Sequence, residues 1–235
     1  MPIRSIDDLD VGGKRVLLRV DINSPIDPAT GEIADENRIE QSLPTIRDLA
    51  DRGARLVIIC HQGDTLDYHN LVGVGQHAGR LADKLARPVD FIDDVAGPAA
   101  RERILKVDDG EILLLDNLRY LTEEVSTFER DVTLTEEQMA ETYLVRNLTP
   151  LFDFYVNDAF AAAHRASPSM IGFQPLLPSA AGRLLEAEVA AITGLIEDPG
   201  RPAVFLLGGL KVSDGTSCGI SPSEFGPETG VGEKP

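Results

Sequence analysis

The sequence predicts an α/β fold in which a Rossmann-like parallel sheet carries helices on both faces. Short apolar runs alternate with helical stretches along the 235 residues, an order typical of parallel sheets. The apolar runs lack two-residue alternation, as expected for strands that are buried on both faces. Polar residues that suit strand ends and helix ends follow most of these runs.

Six runs rich in Val, Ile, Leu and aromatic residues are interpreted as strands. They cover residues 16–22, 56–60, 89–92, 112–115, 152–156 and 204–207. Helical stretches separate them at residues 39–52, 76–86, 98–106, 135–148 and 180–197.

Local signals support several of these helix boundaries. Gly53 follows the first helix as a C-terminal cap, and Pro44 is expected only in that helix's opening turn. Thr135 precedes two acidic residues, which favour the positive start of a helix.

The last predicted helix has an apolar stripe, which we interpret as core packing. Steps of three and four residues align Leu185, Val189, Ile192 and Ile196.

Composition limits the kinds of partner. A formal net charge of −17 argues against general binding to nucleic acid or to an anionic membrane. The two cysteines, Cys60 and Cys218, are too few for a disulfide framework or a zinc site. With neither a secretory signal nor a membrane span, we expect a soluble, cytoplasmic protein and assign no metal site.

Polar residues follow five of the apolar runs directly, and the carboxyl ends of parallel strands are where ligands bind in such sheets. These residues include Asp21, Asn23, His61, Arg119, His164, Arg165 and Lys211, with Arg38 at the entry to the first helix. Each has an ordinary structural explanation: Asn23 and Asp158 could shape turns, and His61 could be a satisfied core imidazole. Their repeated placement, and the abundance of cations, favour a site for an anionic, phosphate-bearing ligand.

Several motifs, in order, resemble those of the phosphoglycerate kinases, and the archaeal branch in particular. The opening motif runs VLLRVDINSPI over residues 16–26, the central one LLLDNLR over 113–119, and the most diagnostic one YVNDAFAAAHR over 155–165. LPSAAG at 177–182 and LGGLKV at 207–212 continue the series, so the resemblance extends to about residue 214.

The resemblance implies reversible phosphoryl transfer between 1,3-bisphosphoglycerate and Mg-ADP, giving 3-phosphoglycerate and Mg-ATP in glycolysis. It implies catalytic roles for Arg38 and Lys211. The implied substrate-binding residues are Asp21, Asn23, Arg38, His61, Gln62, Gly63, Arg119 and Arg165. The implied nucleotide contacts are Gly208, Gly209 and Lys211.

The chain departs from the family pattern in two ways. Asp64 stands after His61-Gln-Gly63 where the family usually has arginine, and nothing after about residue 214 corresponds to the family's nucleotide-binding domain. We therefore expect a family member that is truncated after its first half. We expect this chain to be inactive alone and to be a monomer. The expected parts are a 3-phosphoglycerate-binding domain (1–175), an interdomain helix (176–198), the first strand and loop of an incomplete nucleotide-binding domain (199–214) and a disordered, non-homologous tail (215–235).

Two alternatives stay open. One is a module that binds 3-phosphoglycerate without catalysis. The other, a dinucleotide-dependent oxidoreductase, rests on the glycines at 73, 75 and 79, whose spacing is one residue too long and which no predicted strand precedes.

Overall fold

The computed structural model describes residues 3–197. Two compact units divide the chain, residues 1–193 and 194–235, and the whole described sheet belongs to the first unit. The predicted strand at 204–207, the predicted nucleotide residues Gly208, Gly209 and Lys211, and the predicted disordered tail at 215–235 lie outside the described residues.

The predicted fold class is confirmed by a six-stranded sheet whose five pairings are all parallel. The strands are β1 (Arg15–Arg19), β2 (Arg55–Ile59), β3 (Asp90–Ile92), β4 (Ile112–Leu115), β5 (Phe154–Asn157) and β6 (Ser179–Ala181). Their order across the sheet is β3-β4-β2-β1-β5-β6. The chain thus leaves β1 toward β2 first and later returns to the other side of β1 as β5.

The helices of the described part range from one turn to 15 residues. They are α1 (Asn37–Asp51), α2 (Gly75–Leu85), α3 (Pro98–Ile104), α4 (Ser126–Asp131), α5 (Glu136–Ala140), α6 (Tyr143–Leu148), α7 (Pro168–Ile171) and α8 (Arg183–Glu197). Single 3-10 turns lie at Ile6–Asp8, Leu118–Tyr120, Thr122–Glu124, Thr149–Leu151 and Phe160–Ala162.

Separate hydrophobic clusters cover the two faces of the sheet. Val16 and Leu18 of β1 point into one cluster with residues of α1 and α2, whereas Leu17 points into the other with residues of α3 and α6. Because both faces are buried, both sets of alternating side chains must be apolar. This explains why the strands read as continuous apolar runs.

The first and last predicted elements differ from the sequence expectation. β1 ends at Arg19 rather than at residue 22, although Val20 and Ile22 remain fully buried. Residues 179–181, expected at the edge of the last helix, form strand β6 instead. Gly182 ends this strand beside Asp158, and a Cβ at Gly182 would lie 2.4 Å from Asp158 Oδ1.

Within the helices, two expectations were wrong. Pro44 lies inside α1 rather than in its opening turn, at a position where its missing N–H removes one helical hydrogen bond. The predicted helix at 135–148 is two helices, because Thr142 adopts an extended conformation between α5 and α6.

The apolar stripe of α8 is not core. Leu185 and Val189 are half-buried, but Ile192 is 43% exposed and Ile196 is 75% exposed. The caps predicted for other helices are confirmed: Gly53 has a positive φ of 77° after α1, and Thr135 forms a capping box with Gln138 at α5. Within residues 3–197, no helix has both the length and the apolar character needed to cross a bilayer.

Candidate anion-binding site at the carboxyl edge of the sheet

The loop after β1 holds an ion pair at the carboxyl edge of the sheet. Asp21 accepts a hydrogen bond from Arg38 Nη1 at 2.8 Å and another from the backbone N–H of Asn23 at 3.2 Å. The Asp21 side chain is only 5% exposed, whereas that of Arg38 is 45% exposed. The buried carboxylate therefore anchors an arginine whose side chain still reaches solvent.

The loop after β2 is tied to the loop after β1. Gly63 donates its N–H to Asn23 Oδ1 at 3.0 Å, and the Arg19 guanidinium lies 2.9 Å from His61 Nδ1. Gly63 has φ +64°, and a Cβ there would lie 2.2 Å from the carbonyl carbon of Asn70. Both the backbone conformation and the close approach therefore require glycine.

Gln62 and Asn117 hold the loops after β2 and β4 together. The Gln62 N–H donates to Asn117 Oδ1 at 2.9 Å, and Asn117 Nδ2 donates back to the Gln62 carbonyl at 2.8 Å. The Gln62 side chain bridges both backbone groups of Ser24, at 2.9 and 2.7 Å. Both side chains are fully buried, so these amides act as internal cross-links.

Two arginines from different loops meet at one hydroxyl. Ser126 Oγ accepts from Arg119 Nη1 at 3.1 Å and from Arg165 Nη1 at 2.8 Å, and it donates to the Asp64 carboxylate. Asp64 also pairs directly with Arg119 at 2.8 Å, and Glu129 pairs with Arg165 at 3.4 Å. An oxygen atom thus lies between two guanidinium groups, the arrangement that an oxyanion requires.

The pKa values of the cluster reflect concentrated positive charge. Burial lowers the pKa of His61 well below its usual value, and the charges of four nearby arginines lower it further: Arg19, Arg119, Arg165 and Arg38. Burial, followed by the charge of Arg165, lowers the pKa of Arg119. His61 is therefore neutral at physiological pH, and the site's positive charge comes from arginine.

Asp64 counteracts part of that charge. Burial alone would raise the pKa of Asp64. The hydrogen bond from Ser126, the charge of Arg119 and two hydrogen bonds from Thr65 together outweigh burial, and the pKa lies below its usual value. The carboxylate is therefore ionised at neutral pH and neutralises one arginine in the ligand-free chain.

The structure brings together the sequence-predicted residues of the described part at one edge of the sheet. These are Asp21, Asn23, Arg38, His61, Gln62, Gly63, Arg119 and Arg165. His164 is exposed, and no hydrogen bond joins it to this group within residues 3–197. Asp158 is buried and accepts the N–H groups of Leu184 and Leu185 at the start of α8 instead.

Sequence reasoning missed five residues of the same network: Arg19, Glu124, Ser126, Glu129 and Ser169. Arg19 carried a signal, since a charged residue inside an apolar run needs a buried partner. The others lie far along the chain from their partners, and nothing local marks them.

Other site types find little support among the described residues. Residues 3–197 contain no group of three or more His, Cys, Asp or Glu side chains arranged to hold a metal ion. Two small cavities, of about 220 and 240 Å³, are not lined by the arginines of the cluster. The glycines proposed for a dinucleotide site follow a loop rather than a strand, and Gly75 packs against Phe91.

Comparison with known proteins identifies close relatives. The chain is 49% identical over 211 residues to the phosphoglycerate kinase of Methanothermobacter thermautotrophicus, an alignment that covers 90% of this chain and 50% of that protein. It is 46% identical over 209 residues to the phosphoglycerate kinase of Sulfurisphaera tokodaii, covering 89% of this chain and 49% of the relative.

Solved structures agree with these sequence matches. The crystal structure of phosphoglycerate kinase from Pyrococcus horikoshii superposes with a TM-score of 0.83 at 37% identity, covering 90% of this chain and 50% of that one. The enzyme from Coxiella burnetii gives a TM-score of 0.68 at 30% identity, covering 92% and 50%. The chain therefore spans about half the length of the relatives it matches.

The family model for phosphoglycerate kinase matches residues 6–218, which include every described residue of the site. With this match over most of the 235 residues, the chain belongs to the phosphoglycerate kinase family.

Proposed function

We propose that this chain carries the phosphoglycerate-binding part of a phosphoglycerate kinase, which binds 3-phosphoglycerate or 1,3-bisphosphoglycerate. The reaction is reversible phosphoryl transfer between 1,3-bisphosphoglycerate and ADP, giving 3-phosphoglycerate and ATP in glycolysis. The observation that carries the proposal is the meeting of Arg119 and Arg165 at Ser126 Oγ, close enough to His61 for both charges to lower its pKa.

The residues divide into ligand-binding and shaping roles. Arg119 and Arg165 supply guanidinium donors for a phosphate or carboxylate, and His61 supplies a neutral imidazole. Asn23 and Asp21 form the polar wall beside Arg38. Gln62 and Gly63 also belong to this site, where they determine the conformation of the loop after β2.

The chemistry we propose is positioning and charge neutralisation rather than covalent catalysis. Arg38 is the proposed catalytic residue of the described part, because its exposed guanidinium is held at the rim by Asp21. Lys211 is the second proposed catalytic residue, and Gly208 and Gly209 are proposed to approach the nucleotide phosphates. The nucleotide would enter as Mg-ADP or Mg-ATP, and we assign its magnesium to no residue of the described part.

A test of the proposal is titration calorimetry of the full 235-residue chain with 3-phosphoglycerate. Arg165→Met should weaken binding about 10-fold or more, because it removes a charged hydrogen-bond donor. Arg130→Met is the matched control, since Arg130 pairs with Asp131 on the surface and its side chain is 65% exposed. Equal affinity in the wild type and both variants would contradict the assignment of the site.

The second candidate is a module that binds 3-phosphoglycerate without transferring phosphate. It is favoured by one observation, that Arg119 and Arg165 of the described part converge on one oxygen position, which suits the binding of a single anion. A coupled ATP assay on the same protein separates the two: heat of binding without turnover selects the module, and turnover selects the enzyme.

For the cellular setting, we propose a cytoplasmic monomer without nucleic-acid or membrane partners. The net charge of −17 supports the exclusion of anionic polymers and surfaces. Cys60 is a free, buried thiol, which is compatible with a reducing compartment.

A further inference from the structure

Arg19 is a buried cation at the carboxyl end of β1, and its guanidinium has partners in three directions. Nη1 donates to the carbonyl of Val20, Nε donates to Ser169 Oγ at 3.3 Å, and Nη2 contacts His61 Nδ1 at 2.9 Å. The residue is only 2% exposed. Three fixed contacts on a planar, donor-only group leave it one orientation.

A buried carboxylate compensates the charge of Arg19 through one intervening residue. Glu124 accepts the Ser169 N–H at 2.6 Å and the Ser169 hydroxyl at 2.7 Å. Because the single hydroxyl proton of Ser169 goes to Glu124, the oxygen faces Arg19 as an acceptor. The direction from Arg19 to Ser169 is fixed, because a guanidinium can only donate. The Ser169 hydroxyl donates to Glu124 when that carboxyl is ionised, and burial raises the pKa of Glu124.

Glu124, Ser169 and Arg19 form a hydrogen-bond relay that leads to His61. Tyr155 supports this relay from the side of the sheet. Its hydroxyl donates to the Ser169 carbonyl at 2.6 Å, and its ring stacks on Phe173 at a centroid distance of 5.2 Å. Ser169, a buried residue of α7, is thus held through both its side chain and its backbone.

The relay fixes the protonation of His61 at a particular atom. A guanidinium has no acceptor, so Nδ1 facing Arg19 must be unprotonated and must accept. A neutral imidazole then carries its one proton on Nε2, the nitrogen on the other side of the ring. Within residues 3–197, the one hydrogen bond of the His61 ring is that of Nδ1 with Arg19.

We propose that Arg19 is a positioning residue that holds His61 as the neutral Nε2–H tautomer and presents that N–H as a donor to a bound anion. The arginines that face His61 are Arg19 of β1, Arg38 of α1, Arg119 of the turn after β4 and Arg165 of the turn after β5. Their charges oppose a second proton on the ring, so the donor stays neutral and its geometry stays constant. The tautomer follows from the contacts alone, while its use toward a phosphate rests on the proposed function.

The direct test is nitrogen-15 NMR of the full chain labelled at histidine and free of ligand. The His61 signals are assigned by comparison with His61→Gln, since the chain has only four histidines. Between about pH 7 and pH 8, we expect an unprotonated Nδ1 and a protonated Nε2. A protonated Nδ1, or an imidazolium within that range, would overturn the proposal in the unmodified protein.

Arg19→Met tests the cause. We expect a mixture of the two tautomers of neutral His61, because burial and the other three arginines still oppose a second proton. Arg47→Met, on the exposed side of α1, should leave the signals unchanged. An unaltered Nε2–H tautomer in a folded Arg19→Met chain would remove the assigned role. If that variant does not fold, the result on the wild-type chain decides.

A measurement of sulfate binding distinguishes failure of this inference from failure of the proposed function. Sulfate is used as the probe because it does not titrate over this range, so any change of its affinity with pH comes from the protein. Arg19→Met should bind sulfate about 10-fold more weakly, because the variant loses a cation and no longer holds His61 with its proton on Nε2. If the wild type shows the Nε2–H tautomer yet binds neither sulfate nor 3-phosphoglycerate, the proposed function fails and the assignment of the tautomer stands.

Discussion

Asp64 and Ser126 contact the same guanidinium groups that we propose as donors to an anionic ligand. Asp64 pairs with Arg119 at 2.8 Å, and both arginines contact Ser126. The Arg119 side chain is 3% exposed and that of Asp64 is 18% exposed, so solvent screens this pair only partly. A ligand must therefore compete with an internal carboxylate before it gains the full attraction of Arg119.

We expect Asp64→Asn to strengthen the binding of sulfate and of 3-phosphoglycerate by about 5-fold, equivalent to about 1 kcal/mol. Titration calorimetry of both ligands measures the change. Asp67→Asn is the matched control, because it removes the same charge from the same loop without touching a guanidinium. Weaker binding by Asp64→Asn would mean instead that Asp64 orients Arg119 for the ligand.

Gly63 provides a second residue-scale prediction. Gly63→Ala should destabilise the fold by about 1–3 kcal/mol, because φ is +64° and the new Cβ would collide with the backbone of Asn70. Urea unfolding followed by circular dichroism measures the free energy of unfolding. Gly79→Ala, with nothing within 4 Å and a position inside α2, should stabilise by about 0.5–1 kcal/mol. A Gly63→Ala chain as stable as the wild type would contradict this.

Elements whose identity depends on local pattern could be predicted, whereas those fixed by distant partners could not. Strands β2 and β4 follow directly from continuous apolar runs. The break between α5 and α6 could not be foreseen, because Glu123 caps α6 by accepting the Leu144 N–H at 2.8 Å from a different turn. Strand β6 is short, and it becomes a strand by pairing with β5 rather than through its own composition.

Asp158 joins the site strand β5 to helix α8. Its Oδ1 accepts the N–H groups of Leu184 and Leu185 at 2.9 and 3.1 Å, the backbone donors that a helix start leaves unpaired. Asp158→Ala should therefore lower the free energy of unfolding by about 1–2 kcal/mol.

Asp158→Asn is the informative partner of that variant, since it keeps an oxygen able to accept both bonds. Urea unfolding should show a clearly smaller loss for asparagine than for alanine. Equal losses would mean that packing around Asp158, rather than the cap, stabilises this junction.

At the scale of the whole molecule, the proximity of the candidate site residues could be predicted from the sequence, whereas the contacts that hold them could not. Parallel strands bring Asp21, His61, Arg119 and Arg165 to one edge, so their proximity followed from topology. The relay behind His61 could not be predicted, because Ser169 reaches Arg19 across 150 residues of sequence. Such contacts depend on packing of the finished fold rather than on any periodic signal.

The stability of the whole fold should fall with acid through a buried histidine. Burial lowers the pKa of His77 from 6.5 to about 4. Below pH 6.5 His77 is therefore protonated in the unfolded chain but not in the folded chain, and the free energy of unfolding decreases. The loss grows until about pH 4 and then levels off, amounting to about 3 kcal/mol at 1.36 kcal/mol per pH unit.

Urea unfolding at a series of pH values checks this. His77→Gln should flatten the fall in the free energy of unfolding between pH 6.5 and about 4. His61 contributes in the same direction and stays in this variant, so part of the acid sensitivity should remain. Identical curves for His77→Gln and the wild type would contradict the assignment.

The arginines at the sheet edge belong to a chain of net charge −17. This charge affects the association rate of an anion as well as its affinity. At low ionic strength the distant acidic surface repels the incoming anion, and added neutral salt screens that repulsion over about 10 Å at 0.1 M. The association rate constant of the anion should therefore rise with moderate salt, although the same salt weakens the contacts with the arginines. This is the reverse of what basic proteins show, since salt slows their electrostatic steering of anions.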